Sequence, residues 1–197
     1  MTFLPIYYRE KTDWLAQKGL NWHVSVCIFR TADNELKHKT FTHIMDSAKQ
    51  DWYAVCSLIE HLLETMKSHI GEVYLRSDNT GCYHCTPHWL SLHDISKRTG
   101  IKIGQYDYSE AQAGKSYYDS KITHMLGKIR MFAASVQNVI TADDMKKALD
   151  SGTGVAGCQT AVFSINASSQ KITFHKGINK VTNLCFENEG CVRLFWA

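Results

Sequence analysis

Apolar and polar positions along the chain alternate between a period of two and a period near 3.6, and their order reads as a mixed α/β protein. From Leu20 to Arg30 the run LNWHVSVCIFR is dense in β-branched and aromatic residues. LKHKTFTHIMD repeats that character after the turn-forming Ala32-Asp33-Asn34, so the two predict a β-hairpin. Upstream, PIYYREKTDWLA supplies the expected first strand. Between Lys49 and Ile70, Trp52, Val55, Cys56, Ile59, Leu62, Leu63 and Met66 recur at helical spacing, predicting an amphipathic helix laid on a sheet and ended by Gly71. GEVYLRSD then predicts a short strand, Thr86 to Thr99 a second helix, and IKIGQYDYSE, with Gly100 before it, another strand. Strands that alternate with helices pair in parallel, because a helical crossover returns the chain to the same end of the sheet.

Ala113 to Ala134 predicts a long helix, and Thr141 to Ser151 a short one with Thr141 as cap and Asp144 at the third helical position. The remainder changes character. After the glycine-rich SGTGVAGC, the segments CQTAVFSIN, KITFHKG and CVRLFWA predict strands, with Asn183 to Gly190 as a loop. The expected organisation is a domain over residues 1–150 and a β-rich C-terminal appendage, 151–197, packed on it.

Composition narrows this little. Hydrophobic residues at 44%, charged residues at 21% and two prolines describe an ordinary globular chain of 197 residues rather than a disordered one. No apolar run approaches the roughly 18 residues of a membrane helix, and MTFLPIYYREKTDW turns charged too early for a secretory signal. The expectation is an intracellular, nuclear protein without a membrane partner. Seven cysteines, an odd number scattered through strand-like and helix-like segments, suit reduced thiols better than a disulfide framework. A net charge of +3 permits contact with nucleic acid without selecting for it.

Candidate chemistry lies in three aspartates: Asp13 in the first strand, Asp78 at the end of VYLRSD, and Asp119 inside the long helix. Groups at the carboxyl ends of strands face a common crevice, and a helix crossing that end adds one more side chain. Three carboxylates there repel one another unless cations neutralise them. Mg²⁺ or Mn²⁺ prefer oxygen ligands, and two such ions about 4 Å apart activate an attacking water and steady the leaving oxygen of a phosphodiester. Each acid also has a plainer reading. SDNTG is good turn chemistry around Asp78, and Lys115 and Asp119 share a helix face as an i,i+4 ion pair.

Two further features flank these acids. Cys82, His84, Cys85 and His88 form a C-x-H-C-x-x-H cluster, but the spacings are too short to bring all four round one zinc ion, so zinc is not expected there. The plainer reading is a loop beside the site, with Tyr83 and His84 placed to touch a sugar or base. Lys115, Lys121, Lys128 and Arg130 lie along the long helix, where they suit a phosphate backbone or simply a solvated face.

TDWLAQKGLNWHVSV, YLRSDNTGCYH and YDYSEAQAGKSYYDSKI resemble the blocks of a ribonuclease H-like, integrase/DDE-type transposase-derived family of animal proteins, often found beside zinc-finger segments. The likeness spans most of the chain. It implies a three-layer α/β fold with a mixed central sheet whose first and fourth strands are neighbours. It also implies that Asp13, Asp78 and Asp119 hold two Mg²⁺ or Mn²⁺ ions. SDN followed by a small residue is also similar to the second acidic motif of retroviral-type integrases, whose third acid is usually glutamate, so Glu110 stands as an alternative to Asp119. The expected activity is metal-dependent phosphodiester cleavage or strand transfer on nucleic acid, with DNA the expected partner. Lys115, Lys121, Arg130, Tyr83 and His84 would contact it. A homo-oligomer and other segments of a larger transposon-derived protein are further expected partners. The competing expectation is a catalytically silent module that binds nucleic acid or protein on the same scaffold.

Overall fold

The structure, a computed structural model, describes residues 2–3, 19–46, 51–78, 80–109, 117–135, 138–165, 180–187 and 191–196. Along these run β1 (Thr2–Phe3), β2 (Leu20–Arg30), β3 (Leu36–Met45), α1 (Trp52–Met66), β4 (Glu72–Ser77) and α2 (Thr86–Thr99). Then follow β5 (Lys102–Tyr108), α3 (Tyr117–Ser135), α4 (Ala142–Asp150), β6 (Cys158–Val162), β7 (Val181–Phe186) and β8 (Val192–Trp196). PIYYREKTDWLA and KITFHKG lie outside the described residues. The protein is mixed α/β. Where the sequence suggests one central sheet, the described strands form two mixed four-stranded sheets, ordered β1-β2-β3-β6 and β4-β5-β7-β8. The chain divides into two compact units, one of Met1–Ala48 with Gly114–Ser164, the other of Lys49–Ala113 with Ile165–Ala197.

The first unit is organised by the β2–β3 hairpin, antiparallel from Asn21 opposite Met45 to Arg30 opposite Leu36. Strand alternation sends Leu20, Trp22 and Val24 to one face, where Ile44 joins them. Against that face α3 lays Ile122, Met125, Ile129 and Ala133, and α4 adds Ala142, Met145, Ala148 and Leu149, closing an apolar core. A capping box starts α4: Thr141 Oγ1 accepts from the Asp144 amide at 3.1 Å, and Asp144 Oδ2 accepts from the Thr141 amide at 3.0 Å. Asp46, just past β3, accepts from the Ala142 amide at 2.5 Å. The loop after α4 returns the chain to β6, which pairs in parallel with β3 from Thr40 opposite Cys158. At its end Gly157 has φ +69°, and its carbonyl accepts from the Thr40 amide at 2.8 Å. Residue 150, where the sequence suggests a boundary, is the last of α4 and lies within this unit.

In the second unit, β4 and β5 are parallel and joined through α2, so Ser77 and Tyr108 end side by side. Asp51 caps α1 by accepting from the Ala54 amide at 3.0 Å. Gly100, with φ 72°, closes α2 through its amide to Ser96 O at 3.0 Å, a left-handed conformation that glycine adopts without a Cβ penalty. Val55, Ile59 and Leu63 of α1 with Trp89, Leu92 and Ile95 of α2 cover Ile103, Tyr106, Val181 and Leu184 of the sheet. The expected loop over Asn183 to Gly190 is corrected in its first part, since Asn183 to Phe186 belong to β7. Asn183 looks like a turn residue, but its amide donates to Asp107 on neighbouring β5, while Val181 and Leu184 enter the core. The expected tail strands therefore divide: β6 joins β3, and β7 with β8 extend from β5.

Candidate functional site

Asp78 follows directly on β4, at the carboxyl end of the parallel pair, and is exposed. Its backbone is held by the residue that follows β5: the Ser109 amide and the Ser109 hydroxyl both donate to Ser77 O, each at 2.9 Å. Its carboxylate is held by the turn that follows, where the Thr80 amide (3.3 Å) and the Thr80 hydroxyl (2.8 Å) converge on Oδ1. Oδ2 accepts no hydrogen bond from any described residue. Among the described residues, one oxygen is thus committed to orientation and the other is not.

The turn is braced from below. Thr80 O accepts from the amides of Tyr83 at 3.0 Å and His84 at 2.9 Å, curling the chain back towards α2. The Tyr108 hydroxyl donates to Tyr83 O at 3.1 Å and accepts from the indole Nε1–H of Trp89. His84 stacks on the Tyr108 ring at 4.3 Å between centroids. Burial pushes the Tyr108 phenol well above its ordinary value, against the Trp89 hydrogen bond, so it stays a neutral hydroxyl.

His84 and His88 are both buried. His88 Nδ1 lies 3.3 Å from the Cys56 thiol, and its Nε2 is buried without a hydrogen-bond partner among the described residues. Burial lowers the His88 pKa to about 3 and raises that of Cys56 to about 12, so at neutral pH both are uncharged. Cys85 stands at the N-cap position of α2 without a side-chain cap bond, its thiol 3.7 Å from Cys82 O. Tyr83 is half-buried, its ring edge-on to His88 at 6.3 Å. Among the described residues no three His, Cys, Asp or Glu side chains gather as a metal site.

Asp119 is exposed in the first turn of α3, in the first unit. On the same helix the Lys121 ammonium donates to Ala156 O at 2.6 Å, and Arg130 is exposed. Asp13, Glu110 and Lys115 lie outside the described residues. Thr80, Tyr108 and Ser109 were not among the residues singled out by the sequence. Their signal was faint: Thr80 sits within the SDNTG turn, and Tyr108-Ser109 ends the strand IKIGQYDYSE. Compared with family models, with curated proteins and with solved structures, the chain matches none.

Proposed function

We propose that the protein is a metal-dependent phosphodiester-cleaving or strand-transfer domain of the transposase, integrase and nuclease type, on a ribonuclease H-like scaffold. The observation that carries this reading is the placement of Asp78, an exposed carboxylate at the carboxyl ends of the parallel β4–β5 pair, with one oxygen that accepts no hydrogen bond among the described residues. That oxygen would suit a hard divalent cation such as Mg²⁺ or Mn²⁺, and the family resemblance supplies Asp13 and either Asp119 or Glu110 as the further acids.

When bound, the metal supplies Lewis-acid activation of water and stabilises the leaving oxygen. The chain's own part is positional. Ser109 fixes the end of β4 and Thr80 holds Oδ1, so that Oδ2 would be the oxygen to hold the cation. Lys121 and Arg130 on α3, with Lys115, would contact a DNA backbone.

Asp78→Asn replaces the anionic oxygens by a neutral amide while keeping the side-chain shape. Cleavage of labelled single- and double-stranded DNA with Mg²⁺ or Mn²⁺ is expected to fall to background, with the thermal midpoint unchanged. Equal cleavage by parent and variant would sink the mechanism. The pairing of Asp78 Oδ1 with Thr80 is also what a plain turn-forming aspartate does, which favours the silent binding module as second reading. Absence of cleavage by the parent on every substrate, with binding retained, selects that module.

A further inference from the structure

We propose that Cys82 and Cys85 form a reversible disulfide that loosens the Asp78 turn, making this end of β4 sensitive to thiol oxidation. The two cysteines are separated by two residues in the segment that leads from Asp78 into α2. Both are free thiols; Cys82 is half-buried, and Cys85, at the head of the helix, is buried. The Cys85 sulfur already points back at Cys82, 3.7 Å from its carbonyl oxygen. The curl made by the Tyr83 and His84 amides on Thr80 O brings this short segment round on itself. A C-x-x-C pair needs little backbone movement to reach the Cα separations of about 4.4 to 6.8 Å that a disulfide requires.

The link to Asp78 runs through one hydroxyl. Thr80 Oγ1 lies 2.8 Å from Asp78 Oδ1 and 3.5 Å from Cys82 Sγ. A hydroxyl has a single proton, and a carboxylate only accepts, so that proton goes to Asp78. The thiol is then the donor to Thr80, and the order is Cys82 S–H to Thr80 O–H to Asp78. Forming the disulfide removes the thiol proton and draws the sulfur towards Cys85. Thr80 loses the donor that steadies it, and Asp78 Oδ1 loses a fixed partner.

With glutathione disulfide as oxidant the step balances. The Cys82 thiolate attacks one glutathione sulfur, breaking its S–S bond and releasing one glutathione thiolate. The Cys85 thiolate then attacks Cys82 Sγ and expels the second. The protein loses two electrons and two protons, and two glutathione thiols form. Burial raises the Cys85 pKa, against the His88 backbone amide that favours its thiolate, and this slows the second displacement.

The disulfide and its effect on the turn do not depend on the proposed activity, whereas the effect on metal binding rests on Asp78 being a ligand. The experiment uses the full chain carrying Cys191→Ser, because Cys191 is exposed and would take up glutathione. Native protein is equilibrated in glutathione buffers of rising oxidised fraction, then alkylated and mapped by mass spectrometry. The expected product lacks two hydrogens, has Cys82 and Cys85 blocked to alkylation, and reverts in dithiothreitol. Adding Cys85→Ser should halt the reaction at a glutathione adduct on Cys82. Amide exchange at Thr80 should quicken on oxidation, and Mn²⁺ should bind the oxidised form several-fold more weakly. A pair that stays reduced, or an adduct that persists on Cys82 in the presence of Cys85, overturns the disulfide. Unchanged Thr80 exchange overturns the coupling to the turn. Equal Mn²⁺ binding by both redox forms overturns the extension to the metal. A quickened Thr80 with no Mn²⁺ binding in either form leaves the switch standing and removes the metal reading of Asp78.

Discussion

Tyr108 carries more of the candidate site than any acid does, because its hydroxyl ties three elements at one atom. It donates to Tyr83 O and accepts from the Trp89 indole, so α2, the end of β5 and the Asp78 turn share it. Removing one partner of a partly buried network leaves the others desolvated and unpaired, which costs up to about 1–3 kcal/mol per group. Tyr108→Phe keeps the ring, the His84 stack and the apolar contacts but deletes that junction. It is expected to destabilise the protein by about 2 kcal/mol in urea titration and to speed amide exchange at Tyr83 and His84. A variant as stable as the parent would mean that water replaces the hydroxyl without loss. None of this was legible in the sequence. Tyr108 and Tyr83 are 25 positions apart, and neither period nor turn chemistry signals a side-chain bond over that separation.

Individual elements were far more legible, since their signals are local. β2 begins and ends where its run of β-branched and aromatic residues does, and α2 spans Thr86–Thr99, stopped by a glycine that can turn left-handed. α4 was readable from its capping residues alone, and its box is present on both sides. Thr141→Ala would strip the acceptor from the Asp144 amide while leaving the Asp46 bond to Ala142 in place. The expected cost is about 1 kcal/mol; Thr141→Ser should restore most of it in the same denaturation assay. β7 failed to stand out for the opposite reason. Asn183 is turn-like by itself, and only Asp107 on the adjacent strand makes it a good strand residue. Asp78 shows both sides: SDNTG announces the turn, whereas the Ser109 bonds that fix it come from across the sheet.

At the scale of the whole molecule, what stays hidden in a single sequence is which strands share a sheet. Periodicity assigns each segment a type, but the parallel pairing of Thr40 with Cys158 is decided by the complementary faces of β3, α3 and α4. Two separate apolar cores follow from that sorting, and each exacts its own conditions for stability. In the second, His88 is fully enclosed beside Cys56, Tyr83 and Tyr106, with no acid partner among the described residues to favour its charged form. Its pKa falls from 6.5 in the unfolded chain to about 3 in the fold, with burial as the cause. Between those values the unfolded state binds a proton that the folded state refuses, so stability increases with pH across that window. The contribution is fully present above about pH 6.5 and declines as the solution is acidified, by about 2 kcal/mol between pH 6.5 and pH 5. Urea titrations at pH 7, 6 and 5 should show this decline, and His88→Leu, which cannot take up a proton, should make it shallower, leaving the share of His23, whose pKa burial also lowers, even if its stability at pH 7 is lower. Parallel pH profiles for parent and variant would show that His88 is protonated in the fold, and that its buried nitrogen finds an acceptor once charged.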